Sequence, residues 1–136
     1  MNIILELSFR DDIHWQYDLI LDTGSEKIAS IKRCARALAP RMVQTTIADY
    51  MRLKRWAYMP HLVNYRQMPA MVRAVPVGHG FINLYSFFKG LHEGGFDGPV
   101  AYEICSPLRG GGSEDNLDTT AKQSLNQISA LINGSA

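Results

Sequence analysis

Cysteine is scarce in this sequence. Cys34 and Cys105 are the only two, and neither sits in metal-finger spacing, which excludes a disulfide framework and a structural zinc site and leaves reduced thiols as the expectation. A charge excess is also lacking. Fourteen Lys and Arg stand against thirteen Asp and Glu, for a formal charge of +1, so the overall balance argues for neither nucleic acid nor a membrane as partner, and any anion would be bound locally. No long hydrophobic run is present either. The apolar opening MNIILELSF reaches Glu6 at once and has no positive leader, so it reads as a strand rather than a signal peptide or a membrane span. A cytoplasmic protein is expected.

What is there suits one folded domain: 136 residues, 46% of them hydrophobic, are enough to bury a core. Residues 2–8 and 18–22 read as short apolar strands, with 9–17 as a loop or a single helical turn between them. Ser25 starts a helix whose Ile28, Ile31, Ala35 and Leu38 keep the helical period until Pro40. Residues 41–48 alternate as a strand that Asp49 ends. Asn83 caps a helix over 84–92, stopped by Gly94 and Gly95. Residues 99–104 form another strand. After the triple glycine 110–112, Ser113, Glu114 and Asp115 open a last helix that turns Leu117, Ala121, Leu125, Ile128 and Leu131 inward. Strands alternating with helices imply an α/β fold with a parallel sheet.

Between residues 50 and 74 the periodicity fails. Trp56, Tyr58, His61 and Tyr65 sit among prolines, Arg and Lys as one long connection. Such connections are commonly lids or binding loops, and a surface insertion packing on its own aromatic residues is the alternative.

The most informative position is Glu103, in the run VAYEI. A carboxylate near the end of an apolar strand and before a polar, glycine-rich loop is expensive to bury without a partner. At the mouth of an α/β barrel, strand ends carry catalytic or metal-binding groups. Asp22 ends the run DLILD before Thr23 and Gly24, which fits a ligand or a helix cap. His79, between Gly78 and Gly80, either reaches a substrate or is a solvated turn residue. Arg109 beside the triple glycine either forms an anion cradle with exposed amides or belongs to a flexible lead-in to the last helix. Cys105 has no neighbouring His or Asp to activate it as a nucleophile.

Four motifs occur in one order: Leu21-Asp22-Thr23-Gly24, Thr45-Thr46-Ile47-Ala48-Asp49-Tyr50, Val75-Pro76-Val77-Gly78-His79-Gly80, and Tyr102-Glu103-Ile104-Cys105-Ser106-Pro107. Together they resemble the C-terminal half of the xylose isomerase-like TIM barrels, the sugar phosphate isomerase/epimerase family, over nearly the whole chain. The resemblance implies a single C-terminal half-barrel domain over 1–136, a partial (β/α) TIM barrel with parallel strands and a loop insertion about 50–74. It implies a divalent metal, Mg²⁺ or Mn²⁺, held by Glu6, Asp22, Gln44 and Glu103. The metal would polarise a sugar or polyol carbonyl while Glu6 or Glu103 moves a neighbouring proton. Ser25, Thr46, His79 and Arg109 would bind substrate.

The chain departs from the family pattern in two places: Ser25 stands where a histidine is usual, and Gln44 and Thr46 stand where a metal-ligating histidine is usual. The competing expectation is therefore a non-catalytic, truncated or decayed homologue that binds a polyol or nothing. Phosphodiester cleavage, known from the endonuclease IV relatives of the fold, would need a histidine-rich cluster, and only four histidines are present. The partners expected are a small sugar or polyol and either a second copy of the chain or a missing N-terminal half, with neither nucleic acid nor a membrane.

Overall fold

A computed structural model describes the backbone of residues 4–9, 14–18 and 25–28, and the backbone and side chains of 29–104 and 106–134. Its strands are β1 (Ile4–Phe9), β2 (His14–Asp18), β3 (Met42–Ile47), β4 (Asp49–Met59), β5 (Asn64–Val75) and β6 (Val100–Tyr102), and its helices are α1 (Ser25–Leu38), α2 (Leu84–Glu93) and α3 (Glu114–Ile132). The chain is a mixed α/β fold, as expected.

One sheet has the order β2-β1-β3-β6. β3 and β6 are parallel, pairing Thr46 with Ala101 and Ile47 with Tyr102. β1 is antiparallel to both neighbours, which corrects the expectation of an all-parallel set. The reason is local: β1 and β2 are separated by a connection too short for a parallel crossover. β2, itself unexpected in a stretch read as a loop, alternates polar His14 and Gln16 with aromatic Trp15 and Tyr17, a period of two. β2, β3 and β6 run in one direction and β1 is inserted against them. The strand expected over 18–22 lies outside the described residues beyond Asp18.

The supposed loop at 50–74 is a second correction. β4 and β5 form a long antiparallel hairpin, with Tyr58 opposite Tyr65 near its tip and Asp49 opposite Val75 at its base. A register shift between Leu53 and Arg55 interrupts the pairing, and most of the ribbon is solvent-exposed. Neither face therefore carries a clean hydrophobic alternation that would have marked it as a strand.

The helices form where their periodicity placed them. Asn83 accepts the Ser86 amide hydrogen and Ser113 that of Asn116, so both N-caps are filled. α1 and α2 pack closely because Gly90 faces the Lys32 carbonyl and the Ala35 methyl, leaving no room for a Cβ. Lys32 and Glu93 close the same interface with an ion pair at 2.6 Å. That ammonium, together with Arg36 and Lys89, holds the Glu93 carboxyl below its usual range. The core joins Ile31 and Ala35 of α1, Ile47 of β3, Val77, Phe87 and Phe88 of α2 and Ile128 of α3. Each buried phenylalanine contributes about 2–3 kcal/mol by apolar burial.

α3 is turned from its expected face. Ile128 is buried and Leu131 packs against the core as expected, but Leu117, Ala121 and Leu125 are exposed and Thr120 and Ser124 are buried in their place. The small Ser124 lets the helix approach the backbone, where its Oγ accepts the Val77 amide hydrogen at 3.1 Å. A leucine there would prevent both. No helix among the described residues is long and apolar enough to cross a membrane.

Candidate active-site rim

The carboxyl ends of β3 and β6 lie side by side, and just beyond them the Glu103 amide donates to the Ile47 carbonyl at 3.0 Å. Successive strand residues face opposite sides of a sheet. Thr46 pairs with Ala101, so Glu103, two residues further on, shares the Thr46 face. Ser8 pairs with Gln44 and Leu7 with Thr45, which puts Glu6, one step earlier, level with Thr46 and in the same pleat phase. Gln44, Thr46, Ala101 and Glu103 are exposed or half-buried, whereas Thr45 and Ile47 of the opposite phase are buried towards the helices. The sheet thus has one open face, polar at Gln44, Thr46 and Glu103. In the backbone, Glu6 sits mid-strand, since β1 continues to Phe9. The Glu103 carboxylate has no hydrogen-bond or ion-pair partner among the described residues.

The adjoining turn is built by Asp49, whose side chain is fully buried. Its Oδ2 accepts the amide hydrogens of Gly78 and Gly80 at 2.9 Å each, and its Oδ1 accepts those of Tyr50 at 2.9 Å and Ile82 at 3.3 Å. Burial pushes the Asp49 carboxyl above its ordinary range, and the four amides pull against that rise. The turn holds His79 out in solvent, with its own amide hydrogen given to the Pro76 carbonyl at 3.0 Å. Beneath the rim, the Tyr102 hydroxyl donates to the Val75 carbonyl at 3.4 Å and lies beside Ser124. Burial raises the Tyr102 pKa.

On the far side of the turn, the segment through Leu108 runs parallel to the end of β5. Ala74 donates its amide hydrogen to Pro107 and accepts one from Arg109. Arg109 is exposed. The glycine loop after it is fastened to α3: Asn116 Nδ2 donates to the carbonyls of Arg109 at 3.0 Å and Gly111 at 2.6 Å. Gly110 and Gly111 both adopt positive φ, at 89° and 94°, to make that turn.

The structure therefore brings Thr46 and Glu103 to one face, with the Glu6 backbone level with Thr46, and places His79 and Arg109 on exposed segments flanking the same end. Gln44 is on the open face but four residues below the level of Glu103, roughly 14 Å along the strands. Gln44 and Glu103 consequently do not share one ion, and no group of three or more His, Cys, Asp or Glu able to hold a metal occurs among the described residues. Asp22 and Cys105 lie outside the described residues, and Ser25 begins α1 in a part described by backbone alone. An open cleft of about 170 Å³ between Phe88, His92, Asp97 and Leu131 lies at the opposite, N-terminal end of β6, away from Glu103.

Asp49, Tyr102 and Ser124 were not singled out by sequence reasoning. The signal for Asp49 was present in the Gly78-His79-Gly80 turn, which exposes several amide hydrogens that need an acceptor.

Compared with known family models, curated proteins and solved structures, the chain matches none.

Proposed function

We propose that this chain forms one wall of a sugar isomerase- or epimerase-like site, a partial α/β barrel in which Glu103 moves a proton next to the carbonyl of a sugar or polyol. One observation carries the reading: Thr46 and Glu103 share the open face of the sheet, with the Glu6 backbone level with Thr46, and the Glu103 carboxylate, without a partner among the described residues, lies at the carboxyl end of the parallel pair. Ligands of parallel α/β sheets bind at that end. β1 and β6 are two strand spacings apart, about 10 Å, and Glu103 lies two residues, about 7 Å, beyond the level of Glu6, a span that accommodates a small sugar.

In this reading the Glu103 carboxylate takes a proton from the carbon beside the carbonyl, giving an enediolate; for isomerisation it returns that proton to the former carbonyl carbon while the hydroxyl proton passes to the former carbonyl oxygen, and for epimerisation a second acid delivers a proton to the opposite face while Glu103 keeps the one it took. Thr46 and Gln44 hydrogen-bond the sugar hydroxyls, and Arg109 and His79 approach from the flanking segments. The described residues do not fit the divalent metal that the resemblance implies, and proton transfer by Glu103 is proposed without one. A second copy or further strands close the open face.

The position of Gln44, out of reach of an ion shared with Glu103, favours a second reading: a polyol-binding homologue without catalysis. Incubating the protein with ketoses and aldoses in D₂O separates the two. The catalytic reading predicts deuterium at the carbon beside the carbonyl, with the rate reduced at least about a hundredfold by Glu103→Gln. Sugar binding without exchange supports the second reading and contradicts the first.

A further inference from the structure

We propose that the β4–β5 hairpin is an arm that docks, tip first, on the surface of an anionic lipid bilayer. Its groups are layered along the arm. At the tip, Leu62 and Val63 are 60% and 79% exposed. Val63 also adopts a left-handed φ of 48°, a conformation strained for a β-branched residue and easy for Gly or Asn. Leu62 and Val63 are thus available for contact with something outside the fold. Next come Tyr58 and Tyr65, paired across the strands with ring centroids 5.4 Å apart, and then exposed Trp56. Tyr and Trp are the side chains that settle at the boundary between lipid headgroups and acyl chains.

The cations are interleaved with the rings and continue behind them, Arg66 lying between the tyrosine pair and Trp56. Arg66 lies about 7 Å from the last rung of the ladder, and Arg55 and Lys54 about 14–17 Å from it, at ~3.4 Å per residue. Long basic side chains at that depth reach a headgroup layer when the tip sinks ~5–10 Å. From Tyr50 to His92 the sequence has no Asp or Glu, while the hairpin holds Arg52, Lys54, Arg55, Arg66 and Arg73. The neutral balance of the whole chain hides this local excess. Arg52 rests over the Phe81 ring at 4.4 Å, fixing the base of the arm to the body.

Alternation puts Arg55 and Arg66 on one face of the ribbon and Lys54, Trp56, Tyr58 and Tyr65 on the other. Cations on both faces around an aliphatic tip suit insertion into a surface. A nucleic acid would meet one face and has no place for Leu62 and Val63. Pairing of two such arms would bring like charges together. The outer edges of a two-stranded ribbon carry unpaired backbone groups, so the arm stays at the interface and does not span the bilayer.

The test is sedimentation of the full chain with phosphatidylcholine vesicles containing about one third phosphatidylserine, against phosphatidylcholine alone and against a labelled single-stranded oligonucleotide. The proposal predicts partition to the anionic vesicles. It also predicts about a hundredfold loss in Lys54→Gln/Arg55→Gln/Arg66→Gln and weakening by added salt. Leu62→Ser/Val63→Asn, whose asparagine suits the left-handed turn, should lower partition at least about tenfold with circular dichroism unchanged. With Trp15→Phe as background, Trp56 emission should shift to the blue on binding. No partition, partition unchanged in the tip variant, or tighter binding to the oligonucleotide than to the vesicles each overturns the proposal.

Discussion

Gly80 and Asp49 are in such close contact that a Cβ on Gly80 would overlap the carboxylate, whose Oδ2 accepts the Gly80 amide hydrogen at 2.9 Å. Gly80→Ala must push the turn away from its acceptor. Asp49→Asn keeps the shape but turns an NH₂ towards backbone donors, leaving buried amides unpaired. Both should destabilise the fold by about 2–5 kcal/mol in denaturant titrations. If Asp49→Asn unfolds like the unsubstituted protein, the clamp is not what holds the turn.

Asp49 also sets a pH dependence. Burial raises its folded-state pKa above the ordinary 3.8, so the folded protein holds this proton more tightly than the unfolded chain. Its contribution to stability is complete below about the ordinary carboxylate pKa and declines as pH rises through the elevated folded value. Asp49 therefore does not drive acid unfolding. A carbon-detected NMR titration of its carboxyl should show a midpoint above 3.8, and a midpoint below that value would contradict the assignment.

Thr45 is fully buried, and its hydroxyl has no hydrogen-bond partner among the described residues. Thr45→Val removes that hydroxyl at nearly constant shape, and the expected result is a gain of about 1 kcal/mol in unfolding free energy. A loss would mean that the hydroxyl has a partner.

Along α3, Leu117, Leu125 and Ile132 are exposed, with Leu125 at 64%. Such a stripe favours self-association. Light scattering should give a mass above that of one chain at micromolar concentration, and Leu125→Glu should return it towards the monomer. A monodisperse monomer for the unsubstituted chain would count against the expected oligomer.

What could be read from the sequence was local. Asn83, Ser113 and Gly94 mark helix ends by hydrogen bonds within a turn, and α1 and α2 follow the helical period. Non-local pairing was not legible. The direction of β1 depends on β2 and β3, and the partners of Asp49 lie up to 33 residues away. The hairpin escaped notice because a bulge and two mixed, solvated faces leave no period to read. For α3 the period was right but its phase was set by Ser124 meeting Val77, which a count of apolar residues does not reveal. At the site, Glu103 was marked by its place after an apolar strand, while the separation of Gln44 from it came from the register.

In the proposed function a small polyol meets the open face of the sheet at the Glu103 end. Titration of ¹⁵N-labelled protein with a sugar, followed by amide chemical shifts, tests it most directly. Changes should cluster at Thr46, Ala101 and Glu103, with smaller ones at His79 and Arg109. Changes confined to the cleft lined by Phe88, His92 and Leu131, with Glu103 unmoved, would contradict it.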